Sequence, residues 1–389
     1  MTHFFILGNH PALSLAELFA RLPISDFEYI APDILLAKID EPVEAGRFMT
    51  SIGGLIKMGR IVGPLPAHHE PILEQSFAVL NEAPKSGKFN FGFSVYGPVP
   101  FDQKRFGLQL KTLLKAEGVS CRLVTSNDKT LSSVVVEQNK LNTSGRELVF
   151  IPGKKKLWLG VTEAVQPFKD LSSRDYGRPA RDDRSGMLPP KLAQVMLNLC
   201  GAGEHDLIID PFCGSGTILT EAMIMGFKKL AGSDNSPKAL EDSRANIEWT
   251  AEHYAATRLP ELSLSDAAQL SRQYKKGSAA AIVTETYLGP QRGAIDIVKV
   301  SREMGPFYAQ VLDEIAKVLK PGGRAVVALP AFIENGQPAL LNVQARGLKP
   351  VEFFPRTLNV QGVTRRSSFL YGRSGQRVWR EIMVLTKAE

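Results

Sequence analysis

Apolar positions along the chain change period several times, and each change marks an element. Residues 3–7 are a short apolar run that predicts a strand. Ser14, with Glu17 three residues later, makes a capping box for a helix reaching about Leu22. The apolar stretch 28–39 is broken by the turn pair Pro32-Asp33, and a second helix over 42–50 and a strand over 55–62 follow. Gly63-Pro64-Leu65-Pro66 punctuates the chain as a linker. Alternation over 89–96 predicts a strand, and 102–118 a helix with Phe106, Leu110, Leu113 and Leu114 in one stripe among Lys104, Arg105, Lys111 and Lys115. Residues 121–125 predict a strand, and 147–151 with 156–162 two more, joined by Pro152-Gly153-Lys154-Lys155 as a hairpin with a basic tip.

The polar stretch 166–186 reads as a linker. It ends at Met187-Leu188-Pro189-Pro190, where proline opens a helix through Leu199. Strands and helices then alternate. Strand 207–210 precedes helix 217–226, strand 229–234 precedes helix 237–249, and strand 280–284 leads through a long loop to helix 306–319. Pro321-Gly322-Gly323 stops that helix before strand 324–330. Such alternation predicts a parallel sheet covered by helices on both faces. Segments 369–372 and 378–386 flank Arg373-Ser374-Gly375-Gln376 and predict a closing antiparallel hairpin. The fold class is therefore α/β and α+β. The front 65 residues follow the β-α-β-β-α-β order of a ferredoxin-like unit, and the last 200 or so are Rossmann-like.

Composition narrows the setting. A chain of 389 residues suggests two or three domains, and 44% hydrophobic with 22% charged residues is ordinary for globular proteins. No apolar run approaches the ~20 residues of a membrane span, and MTHFFILGNHP lacks the regions of a signal peptide. Cys121, Cys200 and Cys213 are odd in number and far apart, so neither a disulfide framework nor a metal knuckle is expected. His68-His69 has no acid or cysteine spacing to make it a metal site. The expectation is a reduced, cytoplasmic protein without membrane or metal.

Net charge is +7, unevenly placed: −4 over residues 1–80, +7 over 81–180, −2 over 181–339 and +6 over 340–389. Two basic zones on an acidic remainder fit a polyanionic partner, because Lys and Arg release counterions from phosphates. Arg365, Arg366, Arg373, Arg377 and Arg380 make the tail basic. Alternation can bring some of them near a substrate, and equally leave them as solvated edge charges.

The candidate chemistry sits in Asp210-Pro211-Phe212-Cys213-Gly214-Ser215-Gly216-Thr217, between a buried strand and a helix. Its glycines permit a sharp turn close to a ligand, and the helix start offers unpaired N–H groups. Asp234 ends the next strand, 24 residues on, where an acid can bond ribose hydroxyls. No Lys follows Gly216 as in a phosphate-binding loop, and no third Gly completes a dinucleotide fingerprint. A turn for S-adenosylmethionine, an adenosine with a zwitterionic tail, remains, beside a bare structural strand–helix turn.

Here the sequence resembles a family. The run Asp210-Pro-Phe-Cys-Gly-Ser-Gly-Thr-Ile-Leu-Thr-Glu-Ala222 is similar to the cofactor motif of the THUMP-containing tRNA guanosine-N2-methyltransferases. So are Phe5-Ile-Leu-Gly-Asn-His-Pro-Ala-Leu-Ser-Leu-Ala-Glu-Leu18, Arg174-Asp-Tyr-Gly-Arg-Pro179 and Leu188-Pro-Pro-Lys-Leu-Ala193 to that family's N-terminal start, linker and first methyltransferase helix. The resemblance implies a ferredoxin-like domain over 1–65, a THUMP RNA-binding domain over 66–165, a linker over 166–184 and a class I methyltransferase domain over 185–389. It implies that Asp210, Phe212, Gly214, Gly216 and Thr217 bind S-adenosylmethionine at the methionine end, Asp234 its ribose and Asp266 its adenine. Lys154, Lys155, Lys156, Arg174 and Arg178 are the expected RNA contacts, and tRNA the expected partner, with a small activator subunit as some relatives use and otherwise a monomer.

The chain departs from the family at one place. Where amino-methyltransferases carry Asp/Asn-Pro-Pro-Tyr/Phe, it has Glu285-Thr286-Tyr287-Leu288, followed by Gly289. An exocyclic amine is a poor nucleophile because its lone pair is delocalised. A carboxylate and a carbonyl that accept its two N–H groups pull the nitrogen toward tetrahedral geometry, and an aromatic ring stacks on the base. Glu285, the Thr286 carbonyl and Tyr287 are the expected catalytic set, with guanosine N2 at position ten of tRNA as target. Two alternatives stand beside it: a DNA methyltransferase acting on adenine N6 or cytosine N4, and an inactive RNA-binding protein with the cofactor fold retained.

Overall fold

The computed structural model describes all residues except 31, 84–86, 155, 182–186, 257, 290–296, 335, 356 and 389, and the side chains of 297 and 298. Two compact units emerge. The first comprises Met1–Asn9, Leu22–Ser51 and Leu55–Phe168; the second comprises His10–Arg21, Ile52–Gly54 and Lys169–Glu389.

The first unit carries β1 (Thr2–Leu7), β2 (Ile24–Ile30), β3 (Ile34–Ile39), β4 (Leu55–Leu65), β5 (Phe89–Val95), β6 (Cys121–Val124), β7 (Arg146–Pro152) and β8 (Leu157–Val165) in one sheet of order β2-β3-β1-β4-β8-β7-β5-β6. The neighbours β2-β3-β1-β4 are all antiparallel, which is the ferredoxin-like arrangement expected from the element order. Strand β4 runs on through Gly63 and Pro64 to Leu65, where a linker was expected. Proline is tolerated there because β1 pairs β4 only as far as Arg60, and the far end of the strand pairs with β8 on its other side. Phe89, Phe91, Phe93, Phe106 and Phe150 fill the core under β5 and β7. A buried ion pair, Lys57 Nζ to Glu147 Oε1 at 2.5 Å, is completed by the Thr162 hydroxyl, which donates to Glu147 Oε2 at 2.6 Å. The expected basic hairpin is the β7–β8 turn, closed by Gly153 N donating to Lys156 O at 2.8 Å.

The second unit is built on β9 (Leu207–Asp210), β10 (Lys229–Asp234), β11 (Glu261–Leu264), β12 (Ala279–Glu285), β13 (Leu319–Glu334), β14 (Gln337–Leu340), β15 (Leu348–Pro350), β16 (Phe369–Tyr371) and β17 (Val378–Lys387). The sheet order is β11-β10-β9-β12-β13-β17-β15, with β14 on β13 and β16 on β17. The first five of these strands are parallel, and β17 runs antiparallel to β13. Ala279, Ile282, Ala325 and Val327 lie among the buried residues because strands covered on both faces read as continuous apolar runs. Pro321-Gly322-Gly323 does not separate helix from strand. It falls in a bulge of β13, where the register against β12 jumps from Ala279–Leu319 to Ala281–Arg324.

Two further elements of this unit differ from expectation. Within the stretch read as a linker, Phe168–Tyr176 is a helix. The first helix runs Pro11–Arg21, so Ser14 lies inside it rather than at its cap, and Glu17 closes no capping box: its carboxylate accepts from Gly53 N at 2.9 Å, Gly54 N at 2.7 Å and Asn198 Nδ2 at 2.7 Å. Complete burial pushes the Glu17 carboxyl up to about 7 against those three donors. Among the described residues, no helix is long and apolar enough to cross a membrane.

Candidate functional site

The strand order reverses between β9 and β12: the chain winds one way through β10 to β11 and the other way from β12 to β13. In doubly wound sheets that reversal opens a crevice at the carboxyl ends of the strands. Four acids stand in a row along this edge. Asp210 ends β9, Asp234 ends β10, Asp266 follows β11 by two residues, and Glu285 ends β12.

Asp210 is 1% exposed. Its Oδ1 accepts from the Thr284 hydroxyl at 2.6 Å and from Phe212 N at 3.2 Å. Burial raises its pKa to about 7, Thr284 and Phe212 pull it back, and the charges of Asp234 and Glu285 add to the rise. Asp234 is half-buried and accepts with both oxygens, from Gly214 N and from Ser236 N, each at 3.0 Å. It is thereby fixed against the glycine turn. Asp266 is exposed and caps a short 3-10 helix through Ala268 N at 2.9 Å, and the preceding Ser265 N donates to the Asp234 carbonyl.

The turn itself needs glycine twice. Gly214 has φ +52° and Gly216 φ +83°, the left-handed region that costs side-chain-bearing residues roughly 1–2 kcal/mol. A Cβ on Gly214 would meet nothing closer than 4.0 Å, so open space lies over the turn; one on Gly216 would meet Ser243 Oγ at 3.0 Å. Gly216 precedes the helix Thr217–Ile224 as its N-cap. Phe212 is half-buried against Phe307, ring centroids 6.2 Å apart. Cys213 is buried, and burial drives its thiol pKa far upward, which fits a packing residue rather than a nucleophile.

Sequence reasoning missed the residues that hold this turn from behind. On the helix Pro237–Tyr254, Ser243 Oγ donates to Gly214 O at 2.8 Å and Asn246 Nδ2 to Ser215 O at 2.8 Å. Both sit on a face that also buries Leu240, Ile247 and Thr250. Polar residues at buried helical spacing were the available signal. Thr284 was the other omission, a hydroxyl in an otherwise apolar central strand.

Arg174 and Arg178, expected at an RNA surface, are 3% and 5% exposed. Arg174 Nη1 reaches Glu221 Oε2 at 2.5 Å, and Arg178 Nη1 donates to the Thr217 hydroxyl at 2.6 Å. Thr217, expected to contact cofactor, thus has its hydroxyl directed to Arg178. Burial raises the Glu221 carboxyl to about 7, opposed by the two guanidiniums. Lys154 and Lys156 are exposed at the hairpin tip in the other unit, with Lys156 Nζ 3.8 Å from the Trp158 ring centroid; Lys155 lies outside the described residues.

At the end of β12 the loop residues take distinct positions. Glu285 has a side chain 17% exposed and accepts from Arg380 Nε of β17; burial raises its pKa and Arg380 opposes the rise. Thr286 is buried, its N and its hydroxyl both donating to Ala328 O at 3.0 and 2.9 Å. Tyr287 is 60% exposed, and its carbonyl accepts from the Tyr308 hydroxyl. Leu288 is buried in the core, so it offers no ring and no face to a ligand. Residues 290–296, which continue the loop, lie outside the described residues. Among the described residues no cluster of three or more His, Cys, Asp or Glu could hold a metal.

Residues 178–335 match the UPF0020 (RMKL-like) methyltransferase domain. The chain is 34% identical over 149 residues to the tRNA (guanine(10)-N2)-dimethyltransferase of Methanothermobacter thermautotrophicus, a stretch covering 38% of this chain and 40% of that protein. It is 28% identical over 361 residues to the enzyme of the same name from Methanocaldococcus jannaschii, covering 90% of this chain and 95% of the relative. The crystal structure of TrmN from Thermus thermophilus aligns with a TM-score of 0.57 at 18% identity, covering all of both chains, and shares the fold.

Proposed function

We propose that this chain, which carries an RMKL-like methyltransferase domain over residues 178–335, methylates the N2 amine of a guanosine in tRNA, at position ten, using S-adenosylmethionine. The observation that carries the reading is the row Asp266, Asp234, Asp210 and Glu285 along the reversal of the sheet. The names of the two archaeal relatives supply the substrate.

The open space over Gly214 fits the amino-acid tail of S-adenosylmethionine, with Phe212 and Gly216 in the same turn. Asp234, pinned by Gly214 N and Ser236 N, is the ribose acceptor, and Asp266 the adenine acceptor. Asp210 is too buried to be a surface contact and acts by bracing the turn against Thr284. When bound, the cofactor supplies an activated methyl carbon on a sulfonium. The chain's task is placement, and holding the amine in line is where its rate gain arises. Glu285 accepts an N–H of the target amine and holds the proton the nitrogen sheds. The Thr286 carbonyl accepts the second N–H, and Tyr287, exposed at the rim, stacks on the extruded base.

The front sheet is the RNA platform in this reading: residues 1–65 as ferredoxin-like domain and 66–165 as THUMP domain, with Lys154, Lys155 and Lys156 on phosphates. Arg174 and Arg178 brace the cofactor domain through Glu221 and Thr217. We place the enzyme in the cytoplasm, as a monomer or with a small activator subunit. One observation favours a second reading, an inactive RNA-binding protein: the Glu285 carboxylate already has a guanidinium partner. Competition of unmodified tRNA against duplex DNA for the protein, with methyl transfer followed on both, tests the proposal. Transfer confined to tRNA is the expected result; preference for DNA overturns it, and tight tRNA binding without transfer favours the second reading.

A further inference from the structure

The Glu285–Arg380 pair joins residues 95 apart in sequence and two strands apart in the sheet. The register explains how they meet. Glu285 lies opposite Ala328, Ala328 lies opposite Ile382, and Arg380 precedes Ile382 by two residues, opposite Pro330. Side chains in lateral register share a face, and residues two apart on a strand share it too. Glu285, Ala328, Pro330 and Arg380 therefore stand on one face. Two strand spacings separate the acid from the base, roughly 10 Å. The strand between offers only Ala328 and Pro330 there, and over these short side chains the arginine reaches β12.

The neighbouring acid is not its partner. Glu381, one residue on, faces the other way, fully buried, where it accepts from Arg366 Nε at 2.5 Å and from the Ser368 hydroxyl. Arg380 and Glu381 thus serve separate ion pairs on separate faces. Tyr371 lies opposite Arg380 in the register of β16 and β17.

Resting on the function proposed above, we infer that Arg380 is the positioning residue of the reaction: it replaces the rigidity lost with the family's Pro-Pro by fixing the Glu285 carboxylate from the side. A glutamate has one more rotatable bond than an aspartate, and the loop Glu-Thr-Tyr-Leu has no proline to stiffen it. The Nε bond sets one carboxylate oxygen and with it the direction of the other. The guanidinium also opposes the upward push that burial gives the Glu285 carboxyl. Arg380 touches Glu285 and acts through it.

A double-mutant cycle tests this on the full chain, with Glu285→Gln, Arg380→Met, Arg380→Lys and the two double variants, reading kcat, KM for tRNA, S-adenosylmethionine affinity by calorimetry, and melting temperature. R380M is expected to lower kcat about 50-fold with KM and cofactor affinity within threefold, and R380K to recover most of the loss, as expected for a lost general-base geometry. In the E285Q background R380M is expected to change kcat less than twofold. If R380M alone does not fold, the cycle is read with R380K, which keeps a cation opposite Glu285, and E285Q/R380M against E285Q still reports whether Arg380 matters once the Glu285 charge is gone. Equal cost of the Arg380 variants in the wild-type and E285Q backgrounds overturns the assignment. A wild-type protein that transfers no methyl group overturns the proposed function, and the assignment with it.

Discussion

The two sides of the crevice are built by different means. On the proposed cofactor side, Asp210 is buried among neutral donors, a hydroxyl and a backbone N–H, and its carboxyl is pushed up to about 7. On the proposed substrate side, Glu285 is buried against a guanidinium that opposes the same push. The first arrangement suits a brace, which needs a fixed shape more than a fixed charge. The second suits the role we propose for Glu285, accepting from an amine beside a fixed cation. A carboxylate's environment, rather than its position in the row of acids, separates the two roles.

The largest expected effect falls on the charged side. Glu285→Gln keeps the shape and removes the acceptor charge; methyl transfer should fall by at least about 100-fold, with calorimetric cofactor affinity within twofold. Unchanged turnover would remove Glu285 from the chemistry and erase the contrast. Next comes the glycine turn on the braced side. Gly216→Val forces a β-branched residue into φ +83° with Ser243 Oγ 3.0 Å from the new Cβ. Cofactor affinity should drop at least about tenfold with a loss of roughly 2 kcal/mol in stability, seen by calorimetry and thermal melting; a variant that binds normally would mean the turn does not hold the ligand.

Smaller effects probe the platform and the titration. Lys154→Gln with Lys156→Gln should weaken tRNA binding about fivefold and lower the salt slope by roughly one to two contacts, leaving cofactor affinity unchanged. An unaltered slope would make these lysines ordinary surface charge. The unliganded protein should melt lower at pH 8 than at pH 6. Asp210 and Glu17 hold their protons up to about 7 in the fold, whereas the unfolded chain releases them near 4. The native state then binds more protons between these values, so stability falls as pH rises through about 4 to 7 and levels off above. Asp210→Asn should remove part of that fall, a shift of about 2–4 °C; a melting temperature that climbs with pH would show the carboxyls to be ionised in the fold.

The braced side was legible in the sequence because its parts are contiguous. Asp210 to Thr217 lie within one strand–turn–helix, and Asp234 ends the next strand, so motif and alternation fix both. The charged side was legible only in half. Glu285 could be placed by its strand, but Arg380 is joined to it through register across an intervening strand, and arginines in a basic tail look alike before the sheet is closed. Arg174 and Arg178 were misleading for a related reason. The helix Phe168–Tyr176 buries only Leu171 and Arg174, and a buried arginine does not register as an apolar position. Ser243 and Asn246 were hidden as polar residues on a core-facing helix, and Gly63-Pro64 as turn residues inside a strand that β1 no longer pairs at that point.

Mass-spectrometric mapping of an unmodified tRNA transcript after incubation with the wild-type protein and S-adenosylmethionine tests the central claim most directly. N2-methylguanosine at position ten is the expected product, at a level that collapses with Glu285→Gln. A methyl group on adenine or cytosine, or equal guanosine methylation by the E285Q variant, would contradict it.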